Sequence, residues 1–169
     1  MDTDMLAVVD ECDEIVGFRP RGEVHRLGLK HRAAHILVFN RRGDLLLQKR
    51  SRTKEVAPGL WDSSAAGHVD GDESYDDCAR RELEEELGIR PQAPLERLFK
   101  LDAGAENGWE FVWVYRCIDE GPFTVERREI EAIDWFSAER LGRELIEQGD
   151  KFAGTVPLIW HRLMNPLRC

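Results

Sequence analysis

No stretch of the chain approaches the ~18 consecutive apolar residues that a membrane-spanning helix needs, and Met1 is followed by Asp2 and Asp4 rather than by a basic, apolar leader. Neither export nor anchoring is expected, so the chain is read as cytoplasmic, with no membrane partner. Cysteine is sparse, and Cys12, Cys78, Cys117 and Cys169 stand far apart without a CxxC pair. That spacing excludes a zinc ribbon and a disulfide framework. Positive charge is in deficit as well: 24 Lys and Arg face 33 Asp and Glu, for a formal net charge of -9. Such a surface repels a polyanion, which argues against nucleic acid as a partner. It does not exclude phosphate chemistry, because divalent cations can stand between carboxylates and phosphates.

What is present suits one soluble domain spanning 1–169: 169 residues, 42% hydrophobic and 34% charged, without repeats or low-complexity linkers. LAVVDECDEIVGF at 6–18 predicts an N-terminal β-hairpin, and Arg19 to Lys30 reads as an irregular basic segment. AAHILVF at 33–39, a turn with Gly43, and LLLQKR at 45–50 predict a second hairpin. Residues 51–72, with Pro58 and several glycines, read as a long loop, with Trp61 arguing that it is ordered. Strands are expected at 95–101, 109–118 and 129–136, and helices at about 138–148 and 156–164. Mixed strand and helix order predicts an α/β (α+β) fold, a mixed central sheet flanked by helices.

The most informative helix starts after Ser74. Ser74 and Asp77 suit a capping pattern, Tyr75, Ala79, Leu83 and Leu87 form an apolar stripe, and Gly88 and Pro91 end the helix. Glu82, Glu85 and Glu86 fall at i, i+3 and i+4 and crowd one side. Their like charges repel, and a divalent ion reverses the sign of that interaction; oxygen-rich clusters of this kind suit Mg²⁺ or Mn²⁺. A solvated acidic face is the plainer reading of a Glu-rich helix. However, Glu82 and Glu86 border the apolar stripe whereas Glu84 lies on the far side, so solubility alone does not explain those two acids.

From Gly67 to Ile89 the chain reads GHVDGDESYDDCARRELEEELGI. Gly67, Glu73, Arg81-Glu82-Leu83, Glu85-Glu86 and Gly88-Ile89 resemble a complete Nudix box, residues 67–89, with every specified position filled. The resemblance implies a Nudix-type α/β/α sandwich. It also implies Mg²⁺- or Mn²⁺-dependent hydrolysis of a pyrophosphate bond in a nucleoside diphosphate derivative or similar small organic diphosphate. Carried over position by position, it makes Glu82, Glu85, Glu86 and the Gly67 carbonyl metal ligands, with Glu73 and Arg81 orienting the glutamates through a salt bridge. Glu82 is the expected base toward water, with Glu106, Glu110 and Glu129 as candidates outside the box.

HRLGLKHRAAHILVFN, GDLLLQKRSRTK and PGLWDSS, all ahead of Gly67-His68, are similar to the isopentenyl-diphosphate isomerase branch of the superfamily. That branch places a catalytic cysteine at the position of Ala66, so the thiol is missing here, and Cys78 reads as an inert small hydrophobe. His25, His31 and His68 occupy places resembling the isomerase metal ligands, though on their own they read as ordinary loop histidines. Arg50, Arg52 and Lys54 are candidate substrate-binding residues beside Glu110, or equally a solvated strand end. Trp61, Trp109 and Trp113 read as core aromatics, with a base-stacking wall as the alternative. A phosphate-ligand binding module without turnover, and an isomerase, stand as alternatives to the hydrolase. The oligomeric state is left open, a homodimer included.

Overall fold

The computed structural model describes residues 4–166, so Cys169 lies outside them. The elements are β1 (Met5–Val9), β2 (Ile15–Pro20), α1 (Arg21–Leu27), β3 (His31–Phe39), β4 (Leu45–Arg50), β5 (Trp61–Asp62), β6 (Ala65–His68), α2 (Tyr75–Leu87), β7 (Glu96–Leu101), β8 (Glu110–Ile118), β9 (Ile130–Phe136), α3 (Ala138–Glu147) and α4 (Thr155–Met164). β1 and β2 form the predicted N-terminal hairpin as a sheet of their own.

The main sheet runs β5-β4-β3-β8-β7, with β6 also paired to β3 and β9 to β4. β3 and β8 are parallel over their full length, and the other pairs are antiparallel, so the sheet is mixed. Period-two alternation divides its two faces. Ala34, Ile36, Val38, Leu46, Phe111 and Tyr115 pack with the apolar stripe of α2. Ala33, Leu37, Leu45, Leu47, Val112 and Val114 pack with Leu141 of α3 and with Val156 and Ile159 of α4. One helix on one face and two on the other make an α/β/α sandwich, the expected class. Ser74 caps α2 by accepting from the Asp77 amide, and Gly88 ends it in the left-handed region at φ 70°, as the sequence predicts.

Four expectations are corrected. The second predicted hairpin closes at a single register pair, Phe39 with Leu45, after which β3 and β4 splay apart. The fully buried Ser64 holds them open: its hydroxyl accepts from the Val38 amide at 2.8 Å and donates to the Leu46 carbonyl, while β6 takes over the edge of β3 along Ala33–Ile36. The basic segment after residue 19 is not irregular but continues β2 and then forms α1, which Gly28 ends at φ 61°. That short helix buries only Val24, so it has no apolar period to read. Within the predicted loop, 61–62 and 65–68 become strands; Trp61 is the anchor, edge to face against Phe136. At 109–118, Trp109 does not belong to the strand: it adopts φ 66° and leaves the parity shared by Phe111 and Trp113.

Candidate active site

Local structure brings the acids of the box to one place. The pairing of Ala34 with Gly67 lays β6 under α2, and a Cβ on Gly67 would lie 2.0 Å from Glu82 Oε1. Only glycine lets this helix seat its carboxylate so close to the strand. Arg81 then ties the cluster together. It donates from Nε and Nη2 to the two Glu73 oxygens at 2.9 and 3.0 Å, from Nη1 to Glu82 Oε1 at 2.6 Å and Glu85 Oε2 at 3.3 Å, and from Nη2 to the His68 carbonyl at 3.1 Å. The Glu73–Arg81 contact is thus the two-pronged fork that a guanidinium and a carboxylate form best. These acids hold the Arg81 guanidinium firmly protonated.

Glu86 is the deepest of the acids, 6% exposed. Its Oε2 accepts from Gln48 Nε2 at 2.6 Å and from the Ala66 amide at 3.1 Å. Burial pushes its carboxyl up to about 8, and the Glu82 charge adds to the rise. Burial likewise raises Glu82 to about 7, against the pull of Arg81. Glu85 stays exposed, and Glu84 points away to pair with Arg90. Cys78 is buried, its thiol pushed up by burial and donating to the Gly67 and His68 carbonyls, so it is inert as expected.

A cavity of about 1290 Å³ opens beside these acids and extends to a second cluster. There one ring nitrogen from each of His25, His31 and His68 lies within 4.8 Å of the others. His25 Nε2 is 3.3 Å from His68 Nε2, and Glu110 Oε1 lies 2.9 Å from His68 Nε2 and 3.5 Å from His31 Nε2. His31 is 1% exposed, its Nδ1 is tied to the Leu29 carbonyl at 2.8 Å, and its Nε2 is buried without a hydrogen-bond partner. Burial lowers His25 to about 4 and also lowers His68, so these two imidazoles are neutral near pH 7. Burial acts to raise Glu110, but the adjacent His31 ring and the hydrogen bond with His68 outweigh it and hold the carboxyl well below its ordinary range. The three histidines are therefore not ordinary loop residues.

The basic candidates separate. Arg50 and Lys54 line the cavity, but Arg50 is committed to Asp62 at 3.0 Å and to the Val56 carbonyl, and Lys54 to Glu129. Arg52 does not reach the cavity: it is 80% exposed and pairs with Glu131. Sequence reasoning missed Gln48, His35, Asp62 and Ser63. Polar residues inside the apolar strands LLLQ and AAHILVF are the signal that would have found the first two.

The NUDIX domain family model matches residues 29–156. The chain belongs to the Nudix family. It is 40% identical over 130 residues to the uncharacterized Nudix hydrolase PA4841 of Pseudomonas aeruginosa, covering 76% of each chain. It is 33% identical over 143 residues to the uncharacterized Nudix hydrolase YfcD of Escherichia coli, covering 82% of this chain and 77% of that one. Among solved structures, DR0079 from Deinococcus radiodurans aligns with a TM-score of 0.84 and 26% identity over 94% of this chain and 98% of that one. The NUDIX domain of Shewanella oneidensis NrtR, solved with ADP ribose, shares the fold at 17% identity, with a TM-score of 0.62 over 89% of this chain and all of that one. With this membership, the enzyme is a Nudix pyrophosphohydrolase. Nudix enzymes generally use divalent metals, and no helix among the described residues is long and apolar enough to cross a membrane.

Proposed function

We propose that this enzyme hydrolyses a pyrophosphate bond in a small nucleoside diphosphate derivative or similar organic diphosphate, with Mg²⁺ or Mn²⁺ held by Glu82, Glu85, Glu86 and the Gly67 carbonyl. One observation carries this reading: Glu82 and Glu86 stand one turn apart on α2 facing the cavity, where burial opposes the ionisation of both and the Glu82 charge adds to it at Glu86, and a divalent cation offsets that cost. The oxygen-only donor set fits such an ion. When bound, the metal supplies positive charge to the phosphate oxygens and acidifies water. Glu73 and Arg81 position Glu82 and Glu85. Glu82, positioned against Gly67, takes the proton of the attacking water. Glu110 is the weaker base, because its histidine neighbours hold its carboxyl well below the ordinary range. Gln48 and the Ala66 amide fix Glu86 so that its second oxygen stays free for the ion. The products are a phosphomonoester and phosphate or a second phosphomonoester.

The ADP ribose bound to the NrtR domain supports a nucleotide-type ligand for the shared fold. A panel of nucleotide sugars, dinucleotides, nucleoside diphosphates and prenyl diphosphates, assayed with Mg²⁺ and with Mn²⁺, tests the reading. Turnover of at least one member, abolished in Glu86→Gln, is expected; no turnover of any member would sink it.

A second metal position is supported by the orphaned His31 Nε2. Three imidazole nitrogens and the Glu110 carboxylate offer a donor set of nitrogen and oxygen, which suits Mn²⁺, Co²⁺ or Zn²⁺ better than Mg²⁺. The reaction assigned to the cavity remains hydrolysis rather than isomerisation, because Ala66 has no group able to transfer a proton.

A further inference from the structure

His35 has no part in either cluster, yet it is a buried polar side chain inside the apolar run of β3. It lies on β3 with the parity of Ala33 and Leu37, and its register partner is Ala66, whose amide turns away from β3 to hold Glu86. The ring is 5% exposed and stands in the cavity wall between the acidic cluster and the histidine cluster. Its two nitrogens are in different positions. Nδ1 is 2.8 Å from Ser63 Oγ. Nε2 makes no hydrogen bond, and the buried side-chain atoms without a partner, among the described residues, are Arg21 Nε and His31 Nε2. Nε2 of His35 is therefore open to the cavity.

The surrounding bonds also fix the tautomer. The buried Ser63 hydroxyl has no acceptor other than His35 Nδ1 among the described residues, so its hydrogen belongs in that bond. Nδ1 is then the acceptor, and the ring proton sits on Nε2, directed at the cavity. Asp62, 4.0 Å from the ring, does not compete for it: Oδ1 accepts from the Ser63 amide at 2.8 Å and Oδ2 from Arg50 at 3.0 Å. A long polar chain, Arg50 to Asp62 to Ser63 to His35, thus ends in one N–H with no protein acceptor. In a cavity lined by the Glu82, Glu85 and Glu86 cluster on one side and by Arg21, Arg26 and Arg128 as well, the ligand group that such a donor suits is an anionic oxygen.

We propose that His35 is a substrate-binding residue whose Nε2–H donates to a phosphate oxygen of the diphosphate, while Nδ1 serves only to hold the ring on Ser63. The assignment rests on the diphosphate reading of the cavity, and its test does not need turnover. Asparagine places an amide near the Nδ1 position and keeps the Ser63 bond, whereas glutamine places one near Nε2. Binding of methylenediphosphonate, a non-hydrolysable diphosphate, is measured by calorimetry in Mg²⁺ for wild type, His35→Asn and His35→Gln. His35→Gln is expected to bind within about threefold of wild type, and His35→Asn about tenfold or more weaker, as for loss of one hydrogen bond to a charged group. Equal affinities of the two variants, an asparagine variant as tight as wild type, or no binding by wild type would each overturn the assignment.

Should either variant fail to fold, ring-nitrogen NMR of wild type decides. An Nε2–H tautomer whose Nε2 resonance moves on adding methylenediphosphonate with Mg²⁺ supports the proposal; an Nδ1–H tautomer, or no movement, refutes it. Failure of the hydrolysis panel with this binding pattern intact would count against the proposed reaction alone.

Discussion

Gln48 Nε2 donates to Glu86 Oε2 at 2.6 Å, linking the first polar residue after the apolar run of β4 to the most buried acid of the box helix. The bond orients a carboxylate that would otherwise share only the Ala66 amide, and outer partners of metal ligands typically matter by ~10–100-fold in affinity or activity. Gln48→Leu is accordingly expected to raise the Mg²⁺ concentration for half-maximal turnover by about tenfold or more. A Mg²⁺ titration of the rate checks this. An unchanged half-point would mean that the Ala66 amide alone suffices.

The raised carboxyls make metal-free stability depend on pH in a defined direction. Glu82 and Glu86 rise from 4.5 to about 7 and about 8, so the folded state binds more protons than the unfolded chain across that interval, and stability is lost as pH rises through it. His25 runs the other way, falling from 6.5 to about 4, and gives stability as pH rises to 6.5. The two trends offset each other at acid pH, and only the glutamates act between about 6.5 and 8. In EDTA the Tm is expected to fall over that window, to fall less in Glu86→Gln, and to be restored by Mg²⁺ at pH 8. Scanning calorimetry at several pH values tests it, and a flat metal-free profile would contradict the proton assignment.

The box helix was legible because each of its signals is local: a cap at Ser74, a stripe at Tyr75, Ala79, Leu83 and Leu87, a stop at Gly88. The mixed sheet flanked by helices followed from element order, and the α/β/α sandwich from the resemblance of the box. The splayed β3 and β4 were not legible, because Ser64 acts between strands far apart in sequence, and the turn chemistry at Gly43 argued for full pairing. Helix α1 was hidden by its single buried residue. At the site, sequence spacing sufficed for acids on one helix. It could not show that Arg50 is spent on Asp62, or that His25, His31 and His68 converge from α1, β3 and β6, since those meetings depend on strand register.

Gly67 separates seating from stability. A methyl group there would meet Glu82 Oε1 and Cδ at 2.0 and 2.1 Å, but these atoms belong to the far end of a flexible side chain that can swing aside. Gly67→Ala is therefore expected to change the Tm by only a few degrees, within the ~1–3 kcal/mol usual for overpacking, while lowering kcat by about 100-fold through displacement of the base. Thermal melts and steady-state rates on the same preparation check the split. Wild-type turnover in the variant would remove Glu82 from the proposed chemistry.

The histidine cluster gives a prediction that can be read without any substrate. His31 is held by its Nδ1 bond to the Leu29 carbonyl, which fixes Nε2 toward His25, His68 and Glu110 and leaves that nitrogen with nothing else to bond. Co²⁺ added to metal-free protein should therefore give visible d–d absorption from imidazole coordination, and His31→Gln should weaken that binding by at least ~10-fold, as for loss of one nitrogen ligand. Because the box offers only oxygen donors, excess Mg²⁺ should compete poorly for the absorbing site. Spectra unchanged in His31→Gln, or erased by Mg²⁺, would place the cobalt at the glutamates instead and return the three histidines to a purely structural role.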